Sequence, residues 1–257
     1  MRHKIRQLVL QAMCYTPFEH ILRQTYVRIS PAKKDKYDRQ LVQLMKRALG
    51  VHSNCVDVGS YRGEILRDIL HVSPYGTHFA FEPIPENHQY LSKKFNHVNI
   101  FNTALSDYSG EANFQHVVGR AALSGLCKVT YPDINQEIRE IKVSVECLDN
   151  IIPKSTRIDF IKIDVEGAEL HVLRGGQKLI REYSPIIVFE HGCRKAEIYG
   201  TIPEKMYGFL KEECGLNISL MERWLMGNKA FSQEEFCRHV YEGLDFYFVA
   251  YPIQATN

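Results

Sequence analysis

Asn54–Gly63 reads NCVDVGSYRG, and the fold can be worked outward from it. Cys55, Val56 and Val58 form an apolar run too short for a helix, and Gly59 ends it in a turn. A glycine directly after a buried strand lets the main chain turn tightly and admits a ligand close to the backbone. The spacing over Asp57–Gly63 is D-x-G-x-x-x-G. Tyr61 stands where the dinucleotide fingerprint G-x-G-x-x-G has its middle glycine, the one that lets the backbone approach a pyrophosphate. The turn therefore suits a nucleoside without a diphosphate, which weighs against a nicotinamide-dependent oxidoreductase. Taken alone, a glycine after a strand is equally often only a turn.

Downstream, short apolar runs alternate with helix-like stretches. His78–Glu82 is a second strand and Val98–Leu105 a third, with Asp159–Val165 and Pro185–Glu190 as the fourth and fifth. Helices are expected from about Gly63 to His71, over Glu86–Phe95 after Pro85, and over Glu169–Tyr183. This alternation indicates βαβ units and a parallel sheet. Glu111–Val118 and Glu140–Leu148 alternate as exposed strands do and predict an inserted antiparallel hairpin, with a short helix near Asp149–Ile152. Pro203–Cys214 is a helix with proline in its first turn, and Asn217–Trp224 and Leu244–Tyr251 are two terminal strands. Residues 1–50 read as a helical segment, with Tyr37–Leu49 spaced as an amphipathic helix, and 51–257 as the ligand-binding domain.

Composition sets the class. With 45% hydrophobic and 24% charged residues in 257, the chain can bury a sizeable core unaided. Its 7 cysteines include no Cys-x-x-Cys pair, which fits reduced thiols and a cytoplasmic setting. No apolar run approaches the roughly 18 residues of a membrane span, and the short run Leu8–Met13 is no secretion signal. Arg2, Lys4, Arg6, Arg23, Arg28, Lys33, Lys34 and Lys36 oppose only Glu19 and Asp35, so the leading segment is basic and the remainder net acidic. That argues against nucleic acid as a partner for the body of the protein, while RNA methylation and a non-catalytic nucleoside-binding module stay as rival readings.

Glu82, at the end of the second strand and about 20 residues after the glycine turn, stands where a carboxylate accepts the ribose hydroxyls of a bound nucleoside. Asn102 and Ala104 close the third strand, where an adenine edge can be met. The fourth strand runs into Asp164, Glu166 and Glu169, and the fifth into Glu190-His191. Neighbouring strand tips let Asp164, Glu166, Glu190 and His191 converge. A hydroxyl is a poor nucleophile until a base takes its proton, and histidine titrates in the right range. The competing arrangement is a divalent ion such as Mg²⁺ held by Asp164 and Glu190. The polar stretch 117–139, with Arg120 and Ser124, is a candidate cover for the acceptor.

Three runs, Phe81-Glu82-Pro83-Ile84-Pro85-Glu86-Asn87, Ala104-Leu105-Ser106-Asp107 and Ile161-Lys162-Ile163-Asp164-Val165-Glu166-Gly167-Ala168-Glu169, resemble the FkbM family of S-adenosylmethionine-dependent methyltransferases. The resemblance covers roughly residues 37 to 252 and implies a class I methyltransferase α/β fold: a Rossmann-like seven-stranded mixed sheet, order 3-2-1-4-5-7-6, with helices on both faces. It implies S-adenosylmethionine as cofactor, held by Asp57, Gly59, Ser60, Tyr61, Gly63, Glu82, Pro83, Asn102, Ala104 and Asp164. It also implies methyl transfer to a hydroxyl of a small molecule, secondary metabolite or glycan. The family loop commonly reads D-x-G-A-N-x-G, and Ser60-Tyr61 replace its Ala-Asn pair here. A homo-oligomer is compatible with the helical leading segment.

Overall fold

Cys55–Val58, four buried residues in a row, form β1 at the middle of a sheet covered on both faces, which is why the run is almost continuously apolar. The computed structural model describes residues 31–118, 124–127, 137–192 and 197–253. The helices expected before residue 31, and Arg120, lie outside the described residues. In chain order the elements are α1 (Pro31–Ala48), β1, α2 (Glu64–Val72), β2 (Phe79–Phe81), α3 (Pro85–Lys94), β3 (Asn99–Phe101), β4 (Thr103–Leu105), β5 (Gly110–Val117) and β6 (Ile138–Glu146). There follow α4 (Leu148–Ile151), β7 (Phe160–Ile163), α5 (Glu169–Gly175), α6 (Gln177–Tyr183), β8 (Ile186–Glu190) and α7 (Pro203–Gly208), which continues into a π-helical turn over Phe209–Glu213. The last elements are β9 (Leu216–Ser219), α8 (Met221–Leu225), α9 (Gln233–Tyr241) and β10 (Tyr247–Pro252).

The main sheet has the order β3-β2-β1-β7-β8-β10-β9, which is the expected 3-2-1-4-5-7-6 arrangement. All neighbours from β3 to β8 run parallel, and β10 runs antiparallel to both β8 and β9. Side chains alternate between the two faces. Val56, Val58, Ile161, Ile163, Ile187, Phe189, Phe248 and Ala250 point to one face and join the larger core cluster with α5, α6, α7 and α9. Cys55, Phe160, Val188 and Val249 point to the other, where Tyr37, Leu41, Leu44 and Met45 of α1 and Met221 of α8 cover them. Each fully buried Val, Leu, Ile, Phe or Met among them contributes on the order of 1.5–3 kcal/mol.

The structure revises four sequence expectations. The stretch 98–105 is two strands, not one: β3 belongs to the main sheet and β4 leaves it at Asn102 to pair in parallel with β6. With β5 antiparallel to β6, a second, three-stranded sheet results, and this is the expected hairpin. The helix over 169–183 is interrupted at Gly175–Gly176 and becomes α5 and α6. Trp224 sits on α8 rather than in a strand, since β9 stops at Ser219 and the chain turns at Leu220. Gln233–Tyr241 is an additional helix, begun by a capping box in which Ser232 and Glu235 satisfy each other's backbone amides. Among the described residues no helix is long and apolar enough to cross a membrane.

Candidate active site

A cavity of about 320 Å³ opens at the carboxyl ends of β1, β2 and β7, where open α/β sheets bind their ligands. Its lining comes from the β1 turn (Asp57–Tyr61), Glu82–Ile84, Thr103–Leu105 and Asp164–Glu166, with Tyr37, Asp38 and Leu41 of α1, Met221 and Tyr247 as further walls. Gly59 has φ +79°, and a Cβ added to it would stand 2.1 Å from the Asp164 carbonyl oxygen. The amides of Gly59 and Ser60 both donate to the Phe81 carbonyl, at 3.0 and 3.1 Å, which ties the β1 turn to β2.

Glu82 is the hub of that turn. One carboxylate oxygen accepts from the Tyr61 amide at 2.8 Å, and the other from the Ile84 amide at 2.9 Å and the Asn87 side chain at 3.4 Å. Burial outweighs these donors and pushes its carboxyl up to about 7. Pro83 lines the cavity beside it. Asn102 does not: its side-chain amide donates to the carbonyls of Glu82 and Pro83, 3.0 Å each, so it braces the backbone behind the cavity. Gly63 is also absent from the lining; a Cβ there would meet Phe95 at 2.4 Å and Leu91 at 2.8 Å, so this glycine serves helix packing. Asp57, Gly59, Ser60, Tyr61, Glu82, Pro83, Ala104 and Asp164 do meet in one cavity.

Asp57 is buried, and one of its carboxylate oxygens has no hydrogen-bond partner among the described residues. Burial pushes its carboxyl up to about 6, against the pull of the Lys162 ammonium. Lys162 pairs in register with Asp57 across β1 and β7, and its side chain is only 4% exposed. Its Nζ donates to Asp164 Oδ2 at 3.2 Å and lies 5.1 Å from the Tyr247 ring centroid, while the Tyr247 hydroxyl donates to the same Asp164 oxygen. Lys162 and Tyr247 carry no role in the sequence reading. The signal was present for Lys162: a lysine inside an otherwise apolar strand cannot be buried unless something pairs with it.

The acidic residues after β7 separate by environment. Glu169 is buried, and one oxygen accepts from the amides of Val165 and Gly167 at 3.2 and 3.0 Å, so it staples its own loop; burial pushes it up to about 7. Glu166 lines the cavity from a left-handed conformation, φ +63°. Asp164, Glu166 and Glu190 each offer a carboxylate oxygen within 4.8 Å of the others. Glu190 is raised well above its ordinary value by burial and then by the charge of Asp164. It does not line the cavity itself.

His191 does not join them. Alternation along β8 sends Glu190 to the face of Asp57, Lys162 and Tyr247, and sends the next side chain through to the opposite face. There the His191 ring stacks against Phe236 of α9 at 6.0 Å, 1% exposed, with neither ring nitrogen hydrogen-bonded among the described residues. Burial pushes its imidazole down to about 4. It is absent from the cavity lining.

The family model described as the methyltransferase FkbM domain matches residues 57–217. No curated protein matches the chain. Among solved structures, the FkbM methyltransferase of Methylobacillus flagellatus is 16% identical with a TM-score of 0.50, the match covering 79% of this chain and 44% of that one. The chain thus spans less than half of that protein. The precorrin-6y C5,15-methyltransferase of Geobacter metallireducens is 16% identical over 70% of this chain and 72% of its own, TM-score 0.38. A TehB-like S-adenosylmethionine-dependent methyltransferase of Corynebacterium glutamicum is 11% identical over 93% and 100%, TM-score 0.42. At 16% identity the first of these speaks for the fold alone, and the family rests on the matched domain, which spans more than half of the chain. The chain belongs to the FkbM family of S-adenosylmethionine-dependent methyltransferases.

Proposed function

We propose that the chain transfers the methyl group of S-adenosylmethionine to a hydroxyl oxygen of a small molecule, secondary metabolite or glycan, with residues 51–257 carrying the site and α1 of the leading segment forming one wall. The observation that carries this is Glu82, a buried carboxylate held by two backbone amides on the wall of a nucleoside-sized cavity. A carboxylate so held accepts from both ribose hydroxyls without losing its place. Among the charged groups that line the cavity besides Glu82, the carboxylates of Asp38, Asp57, Glu64, Asp164 and Glu166 outnumber the ammonium of Lys162. That surplus of carboxylate suits the sulfonium and ammonium groups of the methyl donor.

Lys162 and the Tyr247 hydroxyl both engage Asp164 Oδ2, which fixes the orientation of that carboxylate on the cavity wall. Asp164 and Glu166 are the groups positioned to take the acceptor's proton, a contribution of about 10²–10⁴-fold. Holding oxygen, methyl carbon and sulfur in line supplies the larger part, up to about 7–11 kcal/mol. Titration calorimetry should show S-adenosylmethionine binding to the wild type and at least tenfold weaker binding to Glu82→Ala; equal affinities would remove the ribose assignment.

A divalent ion is the second reading, favoured by the three convergent carboxylates. The hydrogen bonds that already occupy Asp164 Oδ2 argue against it. We expect turnover to survive exhaustive EDTA treatment; loss of activity restored by Mg²⁺ would establish the metal route instead.

A further inference from the structure

One wall of the cavity comes from outside the seven-stranded sheet. Ser124–Cys127 lies against the hairpin and contributes Ser124 and Leu126 to the lining. It is fastened at several points. Gly125 and Gln115 exchange backbone hydrogen bonds at 2.9 and 3.2 Å, the Val117 amide donates to Ser124 Oγ at 3.0 Å, and the Cys127 amide donates to the Tyr199 hydroxyl at 2.8 Å. Leu126 packs into the cluster of Ile84, Ala104 and Phe114. Tyr199 is anchored in turn, its carbonyl 3.3 Å from His171 Nε2, while His171 Nδ1 is 3.0 Å from Asp107.

The following rests on the cofactor reading above. On the β1 and β7 side of Glu82 the lining carries the charged groups of Asp57, Lys162, Asp164 and Glu166; away from that side, Ile84, Ala104, Phe114 and Leu126 line the cavity as one apolar cluster. A nucleoside with its ribose on Glu82 places the methionine part at the charged end and the flat base at the apolar end. Among the described residues, Thr103 and Ser124 bring side-chain hydroxyls to the apolar end. Thr103 spends its hydrogen on the Ser144 carbonyl at 2.9 Å. Ser124, 5% exposed, uses its oxygen as the acceptor for Val117, and its hydrogen has no acceptor among the described residues, which leaves it to donate.

We propose that the Ser124 hydroxyl donates a hydrogen bond to a ring nitrogen of the cofactor's adenine, and that Tyr199 positions it through Cys127. The inserted hairpin region is then part of the cofactor site, not a cover for the acceptor.

The test is calorimetric binding of S-adenosylhomocysteine and its 1-deaza, 3-deaza and 7-deaza analogues to the wild type, Ser124→Ala and Tyr199→Phe. Ser124→Ala should lose about five- to tenfold in affinity for S-adenosylhomocysteine. One deaza analogue should lose as much on the wild type and bind wild type and Ser124→Ala alike. Tyr199→Phe should lose less than Ser124→Ala. A parallel drop for every analogue would mean that Ser124 only supports packing, and would overturn the proposal. So would unchanged cofactor affinity with a raised acceptor KM, which would return the segment to the acceptor. A wild type that binds no S-adenosylhomocysteine sinks the cofactor reading itself, and is distinct from a wild type that binds while Ser124→Ala is unaffected.

Discussion

Glu82, Asp164 and Glu169 share one functional group, and their neighbours divide the work among them. Glu169 folds its loop, Asp164 is clamped by an ammonium and a phenol, and Glu82 faces the cavity with its carboxyl raised to about 7. A raised folded value means that Glu82 holds a proton where the unfolded chain has released it. Its contribution to stability is therefore full below about 4.5 and is lost as pH rises through 7. On the proposed cofactor reading, binding runs the other way, because the ionised form is the one that would accept both ribose hydroxyls. Affinity for S-adenosylmethionine should rise by about tenfold between pH 6 and pH 8 in titration calorimetry, and a flat profile would place the ribose elsewhere. Gly59 is the other sharp point. Gly59→Ala forces a Cβ onto the Asp164 carbonyl at a left-handed φ, and should cost more than about 2 kcal/mol, several degrees in a thermal melt. Both residues were legible in the sequence because each is a motif position next to a strand end. Tyr247 and the aim of His191 were not, since they depend on which face of the sheet a side chain leaves by.

Elements were legible where their pattern was local. β1, β2, β7 and β8 follow from apolar runs closed by glycine, proline or acid, and the hairpin from alternation. The run 98–105 misled because nothing in its hydrophobicity marks Asn102 as the point where the chain changes sheets; that is decided by pairing with β6, which lies far along the sequence. Trp224 misled because β9 and α8 are both apolar and only the turn at Leu220 separates them. α9 was announced by Ser232-Gln233-Glu234-Glu235, a capping-box spacing that the run of terminal aromatics overshadowed. Ser232→Ala should cost about 1 kcal/mol, a drop of roughly 2–4 °C in Tm; an unchanged melt would mean that α9 is held by its buried Phe236 and Val240 alone.

At the scale of the molecule, the order of the sheet shapes how the protein comes into being. β10, which follows both in the chain, lies between β8 and β9. While the polypeptide is still leaving the ribosome, β8 presents a bare flank and β9 has nothing to join. Only when residues 247–252 emerge can that slot be filled and Tyr247 reach Asp164. A stalled nascent chain would carry an open, sticky margin that invites chaperones or self-association. Synthesis therefore delivers Tyr247, a wall of the cavity, only after the strands on either side of β10 have been made.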